Sequence, residues 1–486
     1  MWQSETVRQS LNSHTFSPYK DRWTKRLMRY GVESRGVQPV PEAQRTDTQF
    51  IKVFYFWVSF NVNILTFSTG TLGPAIFGLG LRDSCLSILF FNIICCGPPA
   101  YLATWGPKLG MRQMVISRYS FGYYGVIVLC IVNLIGLIGF SVLNCILGGQ
   151  ALASAGNGSL SWTVGIVVIA VISLFVSFCG YRVLNWYEKA SWFPVLLTFI
   201  ISLGVGGKHL LHPPPAEPAT VVGVLSFGAT LAGFSISFSS LSADFTNYYV
   251  SSVNGWRIFW YSFIGLLIPI VILECFGAAV VIAVPSVPSW EQGYAGGNIG
   301  GLLAAMLQPV GGFGKFLAVL LSLSVAGNIA ASFYSLTLNS QTFIPALIII
   351  PRYVFSVVAT AIVIPLSIVG AHTFYDALAN FLGLIGYWPG SYVAIVMLEH
   401  LVFRHNNPGE YDINVWDMPR KLPSGIAALG AMVASFGLAV PCIRQVWFTG
   451  AIAKTTGDIG FEVAFGMSAI LYLPFRWLEI RIQKRV

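Results

Sequence analysis

Few residues in this 486-residue chain could do chemistry, and most of those sit in apolar surroundings. Glu274 stands in the middle of an otherwise uncharged run, whereas Asp244 closes another run and Glu188 lies at an edge. A lone carboxylate in hydrocarbon favours its neutral form, and a group that gains and sheds a proton as water reaches it can couple solute movement to protons. The same residue also fits a protonated side chain hydrogen-bonded between helices. Asn144 and Asn328 pose a parallel choice. A buried amide without a partner costs several kcal/mol, so each needs either a neighbouring helix or a polar cavity, and Asn63, Asn133 and Gln150 read more simply as interhelical bonds. Two stretches mix glycine with hydroxyls, "TFSTGTLGP" (Thr66 to Pro74) and "GATLAGFSISFSSLSAD" (Gly228 to Asp244). Such clusters either let helices pack closely or mark an unwound segment that coordinates a solute or ion.

Enzymatic chemistry has no comparable footing. The six histidines, at 14, 209, 212, 372, 400 and 405, are scattered outside the apolar runs, and no nucleophile stands beside a base. Eight cysteines fall in or beside apolar runs without a C-x-x-C pair, so neither a disulfide framework nor a metal site is expected, and no cofactor is implied.

The elements that must hold these residues follow from composition. With 55% hydrophobic and only 10% charged side chains, the chain departs from soluble domains, which carry about 25% charge. The net charge of +9 then points to lipid surface and not to nucleic acid. Since unsatisfied backbone cannot face lipid, each uncharged run of about 20 residues predicts a spanning helix. Twelve are expected, with cores near 53–79, 84–106, 121–147, 162–180, 190–207, 222–243, 258–284, 316–338, 352–370, 377–398, 422–443 and 459–477. The first apolar run is too long for a signal-peptide core. Threading the twelve with the N-terminus inside leaves only Arg82, Lys208, Lys315, Arg444 and Lys454 of the 28 Lys and Arg outside, as the positive-inside rule requires. Both termini are then cytoplasmic, and the sequon Asn157-Gly158-Ser159 falls in an external loop.

The organisation expected is a polar, largely disordered cytoplasmic arm over 1–49, five spans in 50–214, five more in 215–400, a cytoplasmic loop over 401–421, and two final spans with a short tail in 422–486. The two glycine-hydroxyl clusters fall in spans one and six, each opening a set of five. That placement is the pattern of an inverted-repeat transporter with its site at mid-depth.

Several stretches carry a family resemblance: "LGPAIFGLGLRDSCLSILFFN" through "GPKLGMRQMVISRYSFG" (Leu72 to Gly122), "EKASWFP", "SADFTNYY", "YDINVWD" and "GDIGFEV". From about Gly31 to the C-terminus the chain resembles the fungal purine-cytosine permeases of the nucleobase-cation-symport family, most specifically in the "GMRQMVISRYSFG" loop. The resemblance implies an all-α polytopic membrane protein of twelve helices, a five-plus-five inverted-repeat core of the LeuT type with two extra C-terminal helices. It also implies proton-coupled uptake of a heterocycle at the plasma membrane. By the same resemblance the solute-binding positions fall on Thr66 and Thr69 in span one, Phe140 and Asn144 in span three, Phe238 in span six, and Asn328 and Ser332 in span eight. The family carries tryptophan where Phe140 and Phe238 stand, and only the first Asn of its span-eight run is kept. Phenylalanine offers a smaller stacking face and no indole N–H, so nucleobase selectivity does not follow from the resemblance alone.

The expected mechanism places a planar nitrogen heterocycle, purine- or cytosine-like, between Phe140 and Phe238. Asn144 and Thr66 bond its edge, Asn328 and Ser332 close the site, and Glu274 is the candidate for the coupling proton. Sodium coupling stays open. A second transporter reading changes the cargo to another small ring such as a pyridoxine-like vitamin, an allantoin-like compound or a nucleoside, and a third makes the chain a receptor that binds without accumulating. The sequence is silent on oligomeric state.

Overall fold

In the computed structural model, residues 36–484 are described except 157, 158, 179, 345, 348, 349 and 446, and the side chains of 180–190 and 352. Most of the expected N-terminal arm and the sequon's Asn157 and Gly158 therefore lie outside the described residues. The described residues form a bundle of helices, and among them eight helices are long and apolar enough to cross a membrane, with three shorter apolar helices beside them.

Span one is two helices, α1 (Ile51–Asn61) and α2 (Ile64–Ala75). The interruption is built by Asn63, whose extended backbone (φ −151°, ψ 171°) turns its side-chain oxygen onto the Leu65 and Thr66 amides at 2.8 and 3.0 Å. An asparagine in that position caps the helix after it and competes with the helix before it. Thr66 to Pro74, which the sequence leaves open between close packing and an unwound segment, is helical. Its glycines serve contact: a Cβ on Gly70 would lie 1.9 Å from the Glu274 carbonyl oxygen, and one on Gly277 would lie 2.0 Å from that of Phe67. Two backbones approach there as small residues allow.

Span two begins as α3 (Leu81–Cys95). The helices α4 (Arg118–Ala155), α5 (Trp162–Phe178) and α6 (Gly180–Gly206) follow as spans three to five. Span six breaks within its expected cluster. α7 (Val221–Ile236) gives way to 3-10 turns at Ser237–Ser240 and Ser242–Phe245, hinged on Leu241 (φ −137°, ψ 1°). Ser237, Ser240 and Ser242 bond back to the carbonyls of Gly233, Ser237 and Phe238 at 2.6, 2.8 and 2.7 Å, and serines that bond locally loosen a helix. Beyond it come α8 (Gly255–Ala283), the short α9 (Ile299–Leu307), α10 (Gly312–Phe343) and α11 (Arg352–Gly370). Span ten is α12 (Phe374–Ile385) and α13 (Tyr387–Leu398) meeting at Gly386, and α14 (Ile426–Ala439) and α15 (Gly460–Gln483) close the chain.

The packing obeys a swap of halves. α2 lies on α8 as α7 lies on α3; α1 meets α6 as α7 meets α12; α5 meets α10 as α4 meets α11; and α4 runs along α10. Each of these contacts recurs when five spans are added or subtracted, which is what an inverted repeat demands. α14 and α15 stand outside this scheme, packed on one another, with α15 also against α13.

Two polar seams fasten one face of the bundle, the face that carries residues 36–50 and 401–421. Gln113 receives the Ala243 amide, donates its own backbone N–H to Asp244 Oδ1 at 2.8 Å and its side-chain amide to the Tyr392 hydroxyl at 2.8 Å, while Arg112 reaches the Asp244 carbonyl at 2.7 Å. The "GMRQMVISRYSFG" loop thus splints the broken end of span six. Nearby, Arg476 of α15 grips both Glu399 oxygens at 2.9 Å and Glu479 at 2.8 Å, and Arg404 meets Glu399 from the other side at 3.0 Å.

Candidate functional site

Where the two interrupted helices pass each other, a cavity opens at mid-bundle. Its empty space, open mouth included, is about 490 Å³. Phe60 comes from the end of α1, Phe140 from α4, and Phe234 and Phe238 from the breaking end of span six. These rings meet edge to face: Phe60 on Phe238 at 5.5 Å, Phe234 on Phe238 at 5.7 Å and Phe140 on Phe234 at 6.3 Å between centroids. Trp388 adds an indole from the start of α13. Aromatic walls of this kind grip a flat apolar face and leave orientation to polar groups.

Those polar groups form a chain. The Asn144 amide donates to Asn328 Oδ1 at 3.1 Å, and the Asn328 amide donates to the Phe60 carbonyl at 3.0 Å, where α1 ends. α4, α10 and the first interruption are thereby tied by two side chains. Opposite, Ser240 donates to Asn133 Oδ1 at 2.8 Å and so orients that amide. Among the described residues, the Asn133 Nδ2, the Trp388 Nε1 and the Asn144 Oδ1 are buried without a hydrogen-bond partner. Asn133 and Trp388 line the cavity. Buried donors are paired in the great majority of cases, and these two belong to residues of the cavity lining, where an acceptor on a bound solute can serve them.

Of the residues expected at the site, Phe140, Phe238, Asn328 and Ser332 line this cavity together. Asn144 stands one hydrogen bond behind its wall. Thr66 and Thr69 stand outside it. Both are fully buried along α2, the Thr69 hydroxyl donating to the Leu65 carbonyl at 3.1 Å and the Thr66 amide to the Asn63 cap. Glu274 lies apart as well, wholly buried on α8, with Oε2 accepting from Asn92 at 2.7 Å while Asn92 accepts in turn from Ser235 of α7. This carboxyl therefore touches neither cavity nor solvent, yet its neighbours belong to both interrupted helices: Gly70 presses on its backbone and Ser235 lies two residues from Ser237 in the cavity wall. Trp388, Asn133 and Phe60 were not singled out for the site by sequence reasoning. An aromatic or amide within an apolar run looks the same whether it packs or binds.

A second, more polar chamber, with about 1030 Å³ of empty space when its open mouth is included, opens on the opposite face, bordered by Thr230 of α7, Asn380 and Gly383 of α12, and Arg444, Gln445 and Asp458 from the connection between α14 and α15. Because α7 and α12 also supply Phe234 and Ile385 to the cavity, these two helices form the partition between the chambers. Asp458 is almost fully buried, which pushes its carboxyl above the usual carboxylate range, against the pull of hydrogen bonds from Tyr387, the Gly460 and Arg444 backbone amides and Gln445.

Residues 39–463 match the family described as permease for cytosine/purines, uracil, thiamine, allantoin. A purine-cytosine permease of Emericella nidulans is 36% identical over 458 residues, covering 93% of this chain and 89% of its own. A vitamin B6 transporter of Saccharomyces cerevisiae is 28% identical over 516 residues, covering 94% of this chain and 89% of its own. Among solved structures, a nucleobase-cation-symport-1 family transporter in a closed conformation with bromovinylhydantoin bound superposes with a TM-score of 0.69 at 14% identity, over 92% of this chain and 96% of that one. That likeness shows the fold.

Proposed function

Because the chain belongs to the permease family for cytosine/purines, uracil, thiamine and allantoin, a family of membrane transporters and not of enzymes, we propose that it carries a purine- or cytosine-like base across the plasma membrane together with a proton. The observation that supports this cargo best is the pair of partnerless donors, Asn133 Nδ2 and Trp388 Nε1, on the wall of a cavity framed by four phenylalanines. A planar ring with carbonyl or ring-nitrogen acceptors along one edge satisfies both. In this reading Phe140, Phe238 and Trp388 hold the ring's faces, Asn328 and Ser332 meet a second edge, and Asn144 fixes Asn328. The face carrying residues 36–50 is cytoplasmic and the polar chamber extracellular, in line with the distribution of Lys and Arg.

The deciding experiment is uptake of labelled cytosine by a permease-null fungal strain producing the full chain, with unlabelled purines and pyridoxine as competitors. Competition by adenine and hypoxanthine supports the reading. Competition by pyridoxine alone moves the cargo to the vitamin class that the 28% relative is named for. Trp388→Phe keeps an aromatic face and deletes only the indole donor, so the half-saturating concentration should rise about fivefold, the value of one net hydrogen bond near 1 kcal/mol.

For the proton we assign Glu274, the carboxyl linked through Asn92 and Ser235 to the second interruption. One charge moved inward across about 100 mV supplies roughly 2.3 kcal/mol, enough for about 50-fold accumulation of a neutral solute. Uptake should follow an imposed pH gradient in sodium-free vesicles. Vesicles that ignore the pH gradient and take up solute only once sodium is added remove Glu274 from the cycle.

A further inference from the structure

The connection between α14 and α15 reaches back into the repeat core. Asp458 Oδ2 accepts from the Tyr387 hydroxyl at 2.5 Å, from the Arg444 backbone amide at 3.0 Å and from Gln445 Nε2 at 3.1 Å, while Oδ1 accepts from the Gly460 amide at 2.9 Å. Its own amide donates to the Ser226 hydroxyl of α7 at 3.0 Å. Gln445 Nε2 also donates to the Tyr387 hydroxyl at 2.7 Å. Asp458 therefore gathers three parts of the molecule: its backbone amide holds α7 of span six, and its carboxylate holds the first residue of α13 in span ten and the connection between the last two helices, which belong to neither repeat.

Close fit reinforces these bonds. A Cβ on Gly383 would lie 2.7 Å from Gln445 Nε2, and Gly457, at φ +82°, brings the connection so near α7 that a Cβ there would lie 2.5 Å from the Val222 carbonyl oxygen. Positive φ and the absent side chain are both needed for that approach. Tyr387 immediately precedes Trp388, and Gly386 beside it separates α12 from α13. The partition between the two chambers is thus held shut at its α12 edge by groups from outside the repeat.

We propose that Asp458, through Tyr387 and Gln445, is a positioning residue that clasps span ten to span six, and that this clasp releases when the cavity opens toward the polar chamber. The C-terminal helix pair then takes part in the cycle as the anchor of the clasp. Charge-assisted bonds to a buried carboxylate are the stronger kind, so their loss favours the open arrangement. The proposal rests on the transporter reading for its meaning, but its test does not depend on any cargo.

The test is access to the cavity. Ser237→Cys, in the wall of the cavity, is introduced into the full chain and labelled in intact cells with a membrane-impermeant methanethiosulfonate, the same chain without that cysteine providing the background. Tyr387→Phe and Asp458→Asn are then compared with the parent at matched surface amounts. Each should raise the labelling rate about tenfold, the worth of one such bond. Equal rates in parent and both variants overturn the clasp. If cytosine uptake is absent while the variants label faster, the cargo assignment fails and the clasp stands. Asp458→Asn keeps the size of the side chain, so a folding defect shows as lost surface protein and Tyr387→Phe decides.

Discussion

Asn328→Ala should lower uptake at limiting solute by roughly 100-fold without lowering the amount of protein at the surface. The amide joins three things: it accepts from Asn144 at 3.1 Å, donates to the Phe60 carbonyl at 3.0 Å, and lines the cavity. Two lost bonds and one lost solute contact, each near 1 kcal/mol, sum to about 3 kcal/mol, which is roughly two powers of ten. Neither protein partner is left bare, because Asn63 still donates to the Phe60 carbonyl at 2.7 Å and Asn144 to that of Phe140 at 2.8 Å. The fold should therefore survive the change. Asn144→Ala should be milder, and the double variant should fall little below Asn328→Ala alone, since groups in one hydrogen-bonded chain do not act additively. Uptake within about twofold of the parent would remove Asn328 from the site.

Arg476→Met should act on stability and not on the cavity. Arg476 is wholly buried, bound to both oxygens of Glu399 and to Glu479, and Glu399 is itself 1% exposed. Removing the guanidinium leaves Glu399 in the interior with Arg404 and the Tyr472 hydroxyl, 2.8 Å away, and Glu479 with the Ser424 hydroxyl. Breaking a buried pair from one side costs about 3–5 kcal/mol. A lowered thermal midpoint of the detergent-extracted chain and a loss of surface protein are the expected readings. An unchanged midpoint would mean that Arg404 alone suffices.

Much of this architecture is written locally. The two interruptions fall in the spans that open each set of five, as the placement of the paired glycine-hydroxyl clusters suggests, and Phe140, Phe238 and the pair Asn328 and Ser332, each about 90 positions or more from the next, meet around one cavity. What local reading misplaced was the first interruption. "TFSTGTLGP" has a composition that fits an unwound segment or close packing, and its Gly70 answers to Glu274 and its Phe67 to Gly277, partners about 200 residues away whose backbone approach no window of sequence reveals. The break itself is made by a capping asparagine at position 63 that had read as an interhelical bond. Thr66 and Thr69 then follow the helix and face packing instead of the cavity. Trp388 was passed over for the opposite reason: one aromatic among the many in apolar spans declares its role only when its N–H is found without a partner.

The seam between α2 and α8 has an implication for biosynthesis. A ribosome adds roughly 5–20 residues each second, so the groove at Gly70 is made roughly 10–40 s before residue 274 exists to fill it. During that interval the nascent first half carries an unfilled notch along its opening helix. Lipid chains, as apolar as the helix still to come, can occupy that notch and must be displaced when it arrives.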